Sequence, residues 1–189
     1  MDLTKDELPA RVKVGGEWYD IKTDFRIWID FARLLKDKSA KVEDFDFVYS
    51  NGSFNAPDDR VAGFEQLLKF YAPPRVLPRS DGRKNEDVID YDLDGDLIYS
   101  AFMREYKIDL CDVKMHWHKF SALLAGLKDS KLTDVIGYRL WTNKTGKTDD
   151  YTKQMQSLQD AWQLETYETE TEKKKELDEF ERWLNGERK

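Results

Sequence analysis

Apolar and polar positions change period several times along this chain, and each change predicts an element. Val12 and Val14 alternate with charged neighbours, Gly15-Gly16 follows, and Trp18, Tyr19 and Ile21 resume the apolar pattern. A period of two on either side of a Gly-Gly pair predicts a β-hairpin over about residues 11–22. At Thr23-Asp24 the period lengthens. Phe25, Trp28, Ala32 and Leu35 share one face of a helix that runs to about Lys36. Ile27, Ile29, Phe31 and Leu34 widen that face beyond an ordinary stripe, as expected of a helix central to its domain.

Residues 38–57 fit a short helix and a strand equally, with loops marked by Asn51-Gly52 and Pro57. A second helix is expected from Asp58 or Asp59, with Val61, Phe64, Leu68 and Tyr71 on its inner face and Pro73-Pro74 at its end. Residues 73–90 read as an exposed loop, longer than most connections. Four further helical patterns follow. Asp96 to Tyr106 turns Ile98, Ala101 and Phe102 inward. Asp112 to Leu127 carries Val113, Trp117, Phe120, Leu124 and Leu127 at alternating spacings of four and three. Lys131 to Leu140 offers Leu132, Val135, Ile136 and Leu140, and Thr148 to Leu164 offers Tyr151, Met155, Leu158 and Trp162.

Beyond Glu165 nearly every residue to Glu176 is Glu, Lys or Thr, and then Leu177, Phe180, Trp183 and Leu184 form one amphipathic pair of turns. The expectation is a mainly α fold. A helical domain with an N-terminal β-hairpin occupies residues 1–164, and a charged amphipathic C-terminal helical arm occupies residues 165–189.

Composition narrows the function. A chain of 189 residues buries roughly 70% of its unfolded surface, enough for a core without staples. The 10 Phe, 9 Tyr and 6 Trp supply that core, and 37% charged residues supply a solvated face. The net charge is −7 with basic residues interspersed among the acidic ones, so no basic stripe offers itself to nucleic acid. No apolar run is long enough to span a membrane. The start, MDLTKDELP, is unlike a signal peptide. With the single Cys111 excluding an internal disulfide framework, these features point to the cytoplasm.

Candidate chemistry fades on inspection. Asp90 to Asp96 reads DYDLDGD and opens like a calcium loop, but its twelfth position is Ala101 where a bidentate Glu is needed. The acidic run is better read as dipole-favoured residues at a helix start. His116 and His118, two apart on a helix, would point to different faces and cannot share a metal with Cys111. His116 is expected to make a hydrogen bond at the margin of the core. Thr142 to Thr148 ends in GKT, but Trp141 stands where a phosphate loop requires glycine, so a turn between helices is expected. Cys111 has no activating motif and is expected to be a small buried thiol. No catalytic residue, metal set or cofactor is expected.

The arm remains as the expected partner-binding element. Its anchors are Leu177, Phe180, Trp183 and Leu184, placed for a hydrophobic groove. Burying them removes roughly 600 Å² of apolar surface, about 15 kcal/mol gross, most of it offset by association and ordering. Packing of these residues on their own domain, or in a homo-oligomer, is the competing reading.

Four runs taken in order, VKVGGEWYDIKTDFRIWIDF, YDLDGDLIYSAFMREYKIDL, MHWHKFSALLAGL and VIGYR, resemble the bacteriophage gene product fifteen family of siphophages. The likeness covers most of residues 8–140, and the arm has no clear counterpart in it. The resemblance implies a protein encoded near the phage tape measure protein, with the role of a tail assembly chaperone. Such a protein coats the tape measure protein, keeps it soluble, and is displaced as tail tube protein assembles. It would act in the host cytoplasm and be absent from the mature virion, and no catalytic residue comes with it. An acidic phage inhibitor that binds a host enzyme or mimics nucleic acid is the alternative, at odds with the mixing of Lys and Arg among the acids.

Overall fold

The Gly15-Gly16 pair sets the first element. In the computed structural model, which describes residues 7–72, 88–143, 146 and 148–164, both glycines have positive φ, +58° and +97°. A two-residue hairpin turn of this hand needs that conformation at both positions. Strand β1 (Arg11–Val14) pairs antiparallel with β2 (Glu17–Asp20), Val14 opposite Glu17. Val12 and Val14 are buried, as a period of two requires of a strand with one covered face. The hairpin is tied to the chain further on: Lys22 N–H donates to Val48 carbonyl at 2.8 Å and Ser50 N–H to Asp20 carbonyl at 3.0 Å.

Helix α1 (Phe25–Lys36) begins at Asp24, whose carboxylate accepts from Arg26 N–H at 3.0 Å. It buries Phe25, Trp28, Phe31 and Ala32. Phe31 is fully buried while Leu35 is exposed, so the inner face is turned toward Phe31 from the one the spacing suggested. The ambiguous stretch that follows is a 3-10 helix, Val42–Val48. Three residues per turn put Phe45 and Val48 on one side, and both are buried. A second, shorter 3-10 helix covers Gly52–Asn55.

Helix α2 (Arg60–Tyr71) starts at Asp59, whose side chain accepts from Ala62 N–H. Its inner face differs from the expected one. Gly63, Leu67 and Phe70 are buried, Phe64, Leu68 and Tyr71 are half-buried, and Val61 is 61% exposed. The reason is Gly63. A Cβ there would lie 2.6 Å from Pro57 Cγ and 2.7 Å from the Tyr49 hydroxyl, so the helix makes its closest approach through a residue that an apolar pattern does not count.

Helix α3 (Gly95–Tyr106) buries Ile98, Ala101 and Phe102, as the spacing predicted, and ends at Lys107 in a left-handed conformation, φ +56°. Helix α4 (Trp117–Gly126) starts five residues later than expected, with His116 as its N-cap. Long-range hydrogen bonds hold the residues before it against α1 instead. Arg26 donates to the carbonyls of Leu110, Cys111 and Val113, and Phe25 N–H to that of Met115. Residues 112–116 therefore lie beside the start of α1 and bridge to it at Asp24 and His116.

Helix α5 (Lys131–Arg139) opens with a Ser130/Thr133 capping box. Helix α6 (Asp150–Trp162) buries no residue fully. It is held to α5 by polar contacts: Arg139 Nε donates to Trp162 carbonyl at 2.6 Å, and Gln159 donates to the carbonyls of Arg139 and Trp141. The fold is mainly α with an N-terminal hairpin.

The core centres on Trp28, whose ring lies 4.6 Å from Phe70 and 5.1 Å from Phe31. Trp117 stacks on Tyr71 at 5.1 Å, and a second stack runs Phe25–Phe120–Phe102 at 4.6 and 5.2 Å. Offset rings at these distances add about 0.5–1.5 kcal/mol per pair beyond the area they bury. The indole N–H groups of Trp28 and Trp117 donate to the carbonyls of Lys22 and Tyr71, so neither ring is buried with its polar atom unpaired.

The arm with Leu177, Phe180, Trp183 and Leu184 lies outside the described residues, as does the loop over 73–87.

Candidate partner-binding cleft

The acidic run before α3 is more than a dipole-favoured helix start. Asp90 and Asp94 are buried. Asp90 accepts from Lys36 Nζ at 2.9 Å and from the backbone N–H groups of Asp92 and Leu93. Burial alone would raise its pKa; the Lys36 ammonium and those two N–H donors outweigh burial and hold the carboxyl below the ordinary range. Asp94 forms a two-pronged pair with Arg139 at 2.7 and 2.9 Å and accepts from Asp90 N–H. Arg33 joins Asp30 and Asp92 at the surface. Lys36, Arg33 and Arg139 thus fasten α1 and α5 to the segment ahead of α3, through carboxylates that a calcium loop would need free. Among the described residues no three His, Cys, Asp or Glu are grouped to hold a metal ion.

The histidines are closer together than a shared helix would allow, because His116 precedes α4. Their ring centroids are 5.0 Å apart. His116 Nε2 donates to Pro9 carbonyl at 3.0 Å and its Nδ1 accepts from His118 N–H. His118 is the more deeply buried. It stacks on Phe70 at 4.3 Å, donates from Nε2 to Phe70 carbonyl at 2.8 Å, and its Nδ1 has no partner among the described residues. Burial lowers the pKa of both rings, with the carbonyl acceptors opposing it in part.

Cys111 is exposed, contrary to expectation. The captured carbonyls around it explain why: they hold residues 110–113 as a surface turn instead of a helix face. That turn is one wall of an open cleft of about 350 Å³. Phe25, Arg26 and Ile29 from α1 form a second wall, and Gly95, Ile98 and Tyr99 from α3 a third. Phe120 lies beneath, stacked on Phe25. The interior is apolar and the rim is acidic. Asp109 accepts from Tyr99 hydroxyl at 3.3 Å and from Cys111 N–H at 2.8 Å. Burial, and after it the charge and hydrogen bond of Asp109, push the Tyr99 hydroxyl above its usual pKa. Cavities of this size begin the range of ligand sites, and mostly apolar linings are typical of them.

Sequence reasoning placed partner binding in the arm and missed this cleft. Phe25, Ile98 and Phe120 were legible as core, but the opening between them depends on where α3 and the 110–113 turn lie.

These features define a helical protein whose described surface offers an apolar recess with an acidic rim. No described helix is long and apolar enough to cross a membrane. The Bacteriophage Gp15 protein family profile matches residues 4–164, and the chain belongs to that family. No curated protein and no solved structure matches the chain.

Proposed function

We propose that this protein is a phage tail assembly chaperone. It binds the tape measure protein, keeps it soluble until tail tube protein displaces it, and catalyses no reaction. The observation that carries this reading is the cleft between α1, α3 and the 110–113 turn, a mostly apolar recess open to solvent. Exposed apolar ground with a polar rim is the usual mark of a protein-binding surface. The anchors Leu177, Phe180, Trp183 and Leu184 supply a second apolar contact on the grounds of their spacing, and the net charge of −7 keeps a complex with an apolar client dispersed. Membership of a phage family supports the setting. The protein acts in the host cytoplasm and leaves before the particle is complete.

Co-expression with the tape measure protein of the same phage tests it. The expected result is more soluble tape measure protein, co-purifying with this chain, and no trace of the chain by mass spectrometry of finished particles. Unchanged solubility without co-purification overturns the reading.

A further inference from the structure

The charges around the cleft select what enters it. Its accessible lining is the half-buried carbon of Ile29, Tyr91, Tyr99 and Leu110 above the buried Phe25 and Phe120, room for one large side chain. The basic groups of the rim are already engaged. Arg26 is held by Asp24 and three backbone carbonyls; Arg33, further along α1, is held by Asp30 and Asp92. Asp109 touches both Tyr99 and Cys111. Asp112 follows on the same turn, and Asp96 stands three residues before Tyr99 on α3, on the same helix face. None of these three has a described cation within pairing distance, and Lys114 is the one basic residue of the 109–114 stretch. A rim of this sign repels phosphate and carboxylate and attracts ammonium and guanidinium.

We propose that the cleft takes an aromatic side chain from a segment of a partner protein in which Lys or Arg residues flank that anchor, the ring entering among Ile29, Tyr91, Tyr99 and Leu110 and the cations meeting Asp96, Asp109 and Asp112. The inference rests on the reading of this chain as a protein-binding protein and specifies the chemistry of the segment it holds. The ring supplies the buried area, and the flanking charges supply selection and encounter rate.

The test uses Cys111, the sequence's single cysteine, which lines the cleft and is exposed. Two synthetic peptides share one Trp anchor, flanked by Lys in one and by Glu in the other. Each is titrated into the full chain, and the rate of Cys111 alkylation by iodoacetamide is followed. The expected result is protection by the Lys-flanked peptide at a concentration at least tenfold below that of the Glu-flanked one. That ratio falls toward one in Asp109→Asn/Asp112→Asn, a surface pair whose folding is checked by circular dichroism, and protection is lost in Ile29→Arg.

Equal protection by both peptides, or a ratio indifferent to Asp109 and Asp112, overturns the proposal. So does protection that appears only in Trp183→Ala, which would make the chain's own arm the occupant. Protection that rises with protein concentration and no peptide would make a second copy the occupant, with the same consequence. If the altered chains still keep co-expressed tape measure protein soluble, this assignment falls and the chaperone reading stands. If the unaltered chain fails to do so while the peptides bind as stated, the reverse holds.

Discussion

Trp28 and Asp94 are both almost completely buried, and they are held in opposite ways. Trp28 sits among rings contributed by α1, α2 and α4, with its single polar atom donated to a carbonyl. Asp94 sits between α3 and α5 with both carboxylate oxygens on one guanidinium. The ring cluster draws its stability from area removed from water and from dispersion, which follow shape and volume. The ion-paired side draws little net stability from its charges, because desolvation cancels most of the attraction, but losing one partner leaves a bare buried charge. The first region tolerates changes of charge around it and suffers from cavities. The second tolerates paired replacement and suffers from single ones. One side-chain contact of α6 with α5 runs through the second, since Arg139 reaches from Asp94 to Trp162 carbonyl.

Substitutions can break this contrast in order of size. Trp28→Ala empties the centre of the ring cluster and is expected to cost about 3–5 kcal/mol, read as a lower midpoint in urea unfolding. Arg139→Met strands Asp94 and is expected to cost about 3 kcal/mol. Faster amide exchange in α6 should accompany it, and the double change Asp94→Leu/Arg139→Met should recover most of the loss. A double variant no better than the single one would show that the pair is more than a satisfied charge. Gly63→Ala, which forces a Cβ toward Pro57 and Tyr49, is expected to cost about 1–3 kcal/mol by the same unfolding assay. Arg11→Ala breaks the exposed pair with Asp20 at 2.8 Å, and the expected loss is under about 1 kcal/mol.

Acid sharpens the contrast in two separate steps. The folded pKa values of His116 and His118 are lowered, chiefly by burial, so the unfolded chain binds protons first as pH falls. Their contribution is complete above an unfolded value of about 6.5 and is lost as pH falls from there through the folded values. Asp90 is also lowered in the folded state. Its contribution is complete above an unfolded value of about 3.9 and disappears only in stronger acid. Thermal melts across pH should therefore show a decline starting near neutrality and a second one in stronger acid. His118→Gln is expected to remove part of the first and leave the second; an unchanged first decline would mean that His118 contributes nothing to it.

Much of the fold was legible in the order of residues because local rules suffice for it. Val12 and Val14 could face only one way once Gly15-Gly16 fixed the turn. Asp24, Asp59 and Ser130 cap helices as their types predict. Ile98, Ala101 and Phe102 lie inward at helical spacing. The failures share one cause, a long-range contact that overrode local pattern. Arg26 holds the carbonyls of Leu110, Cys111 and Val113 against α1, in a turn where a helix from Asp112 was expected, and Cys111 lies at the surface of that turn. Pro57 and Tyr49 accepted Gly63 and turned α2 past the face that Val61 suggested. Arg139, from far along the chain, made Asp94 part of an ion pair instead of a capping acid.

The sequence by itself determined the kinds of element, their order, the hairpin turn and most of the ring-bearing positions, since period, caps and glycine conformations act within a few residues. Only the tertiary structure decided which carbonyls were claimed from a distance, which carboxylates were buried against which cations, and that a recess opens beside Cys111. Those outcomes depend on the relative placement of α1, α3, α5 and the 110–113 turn, and no window of neighbouring residues contains that placement.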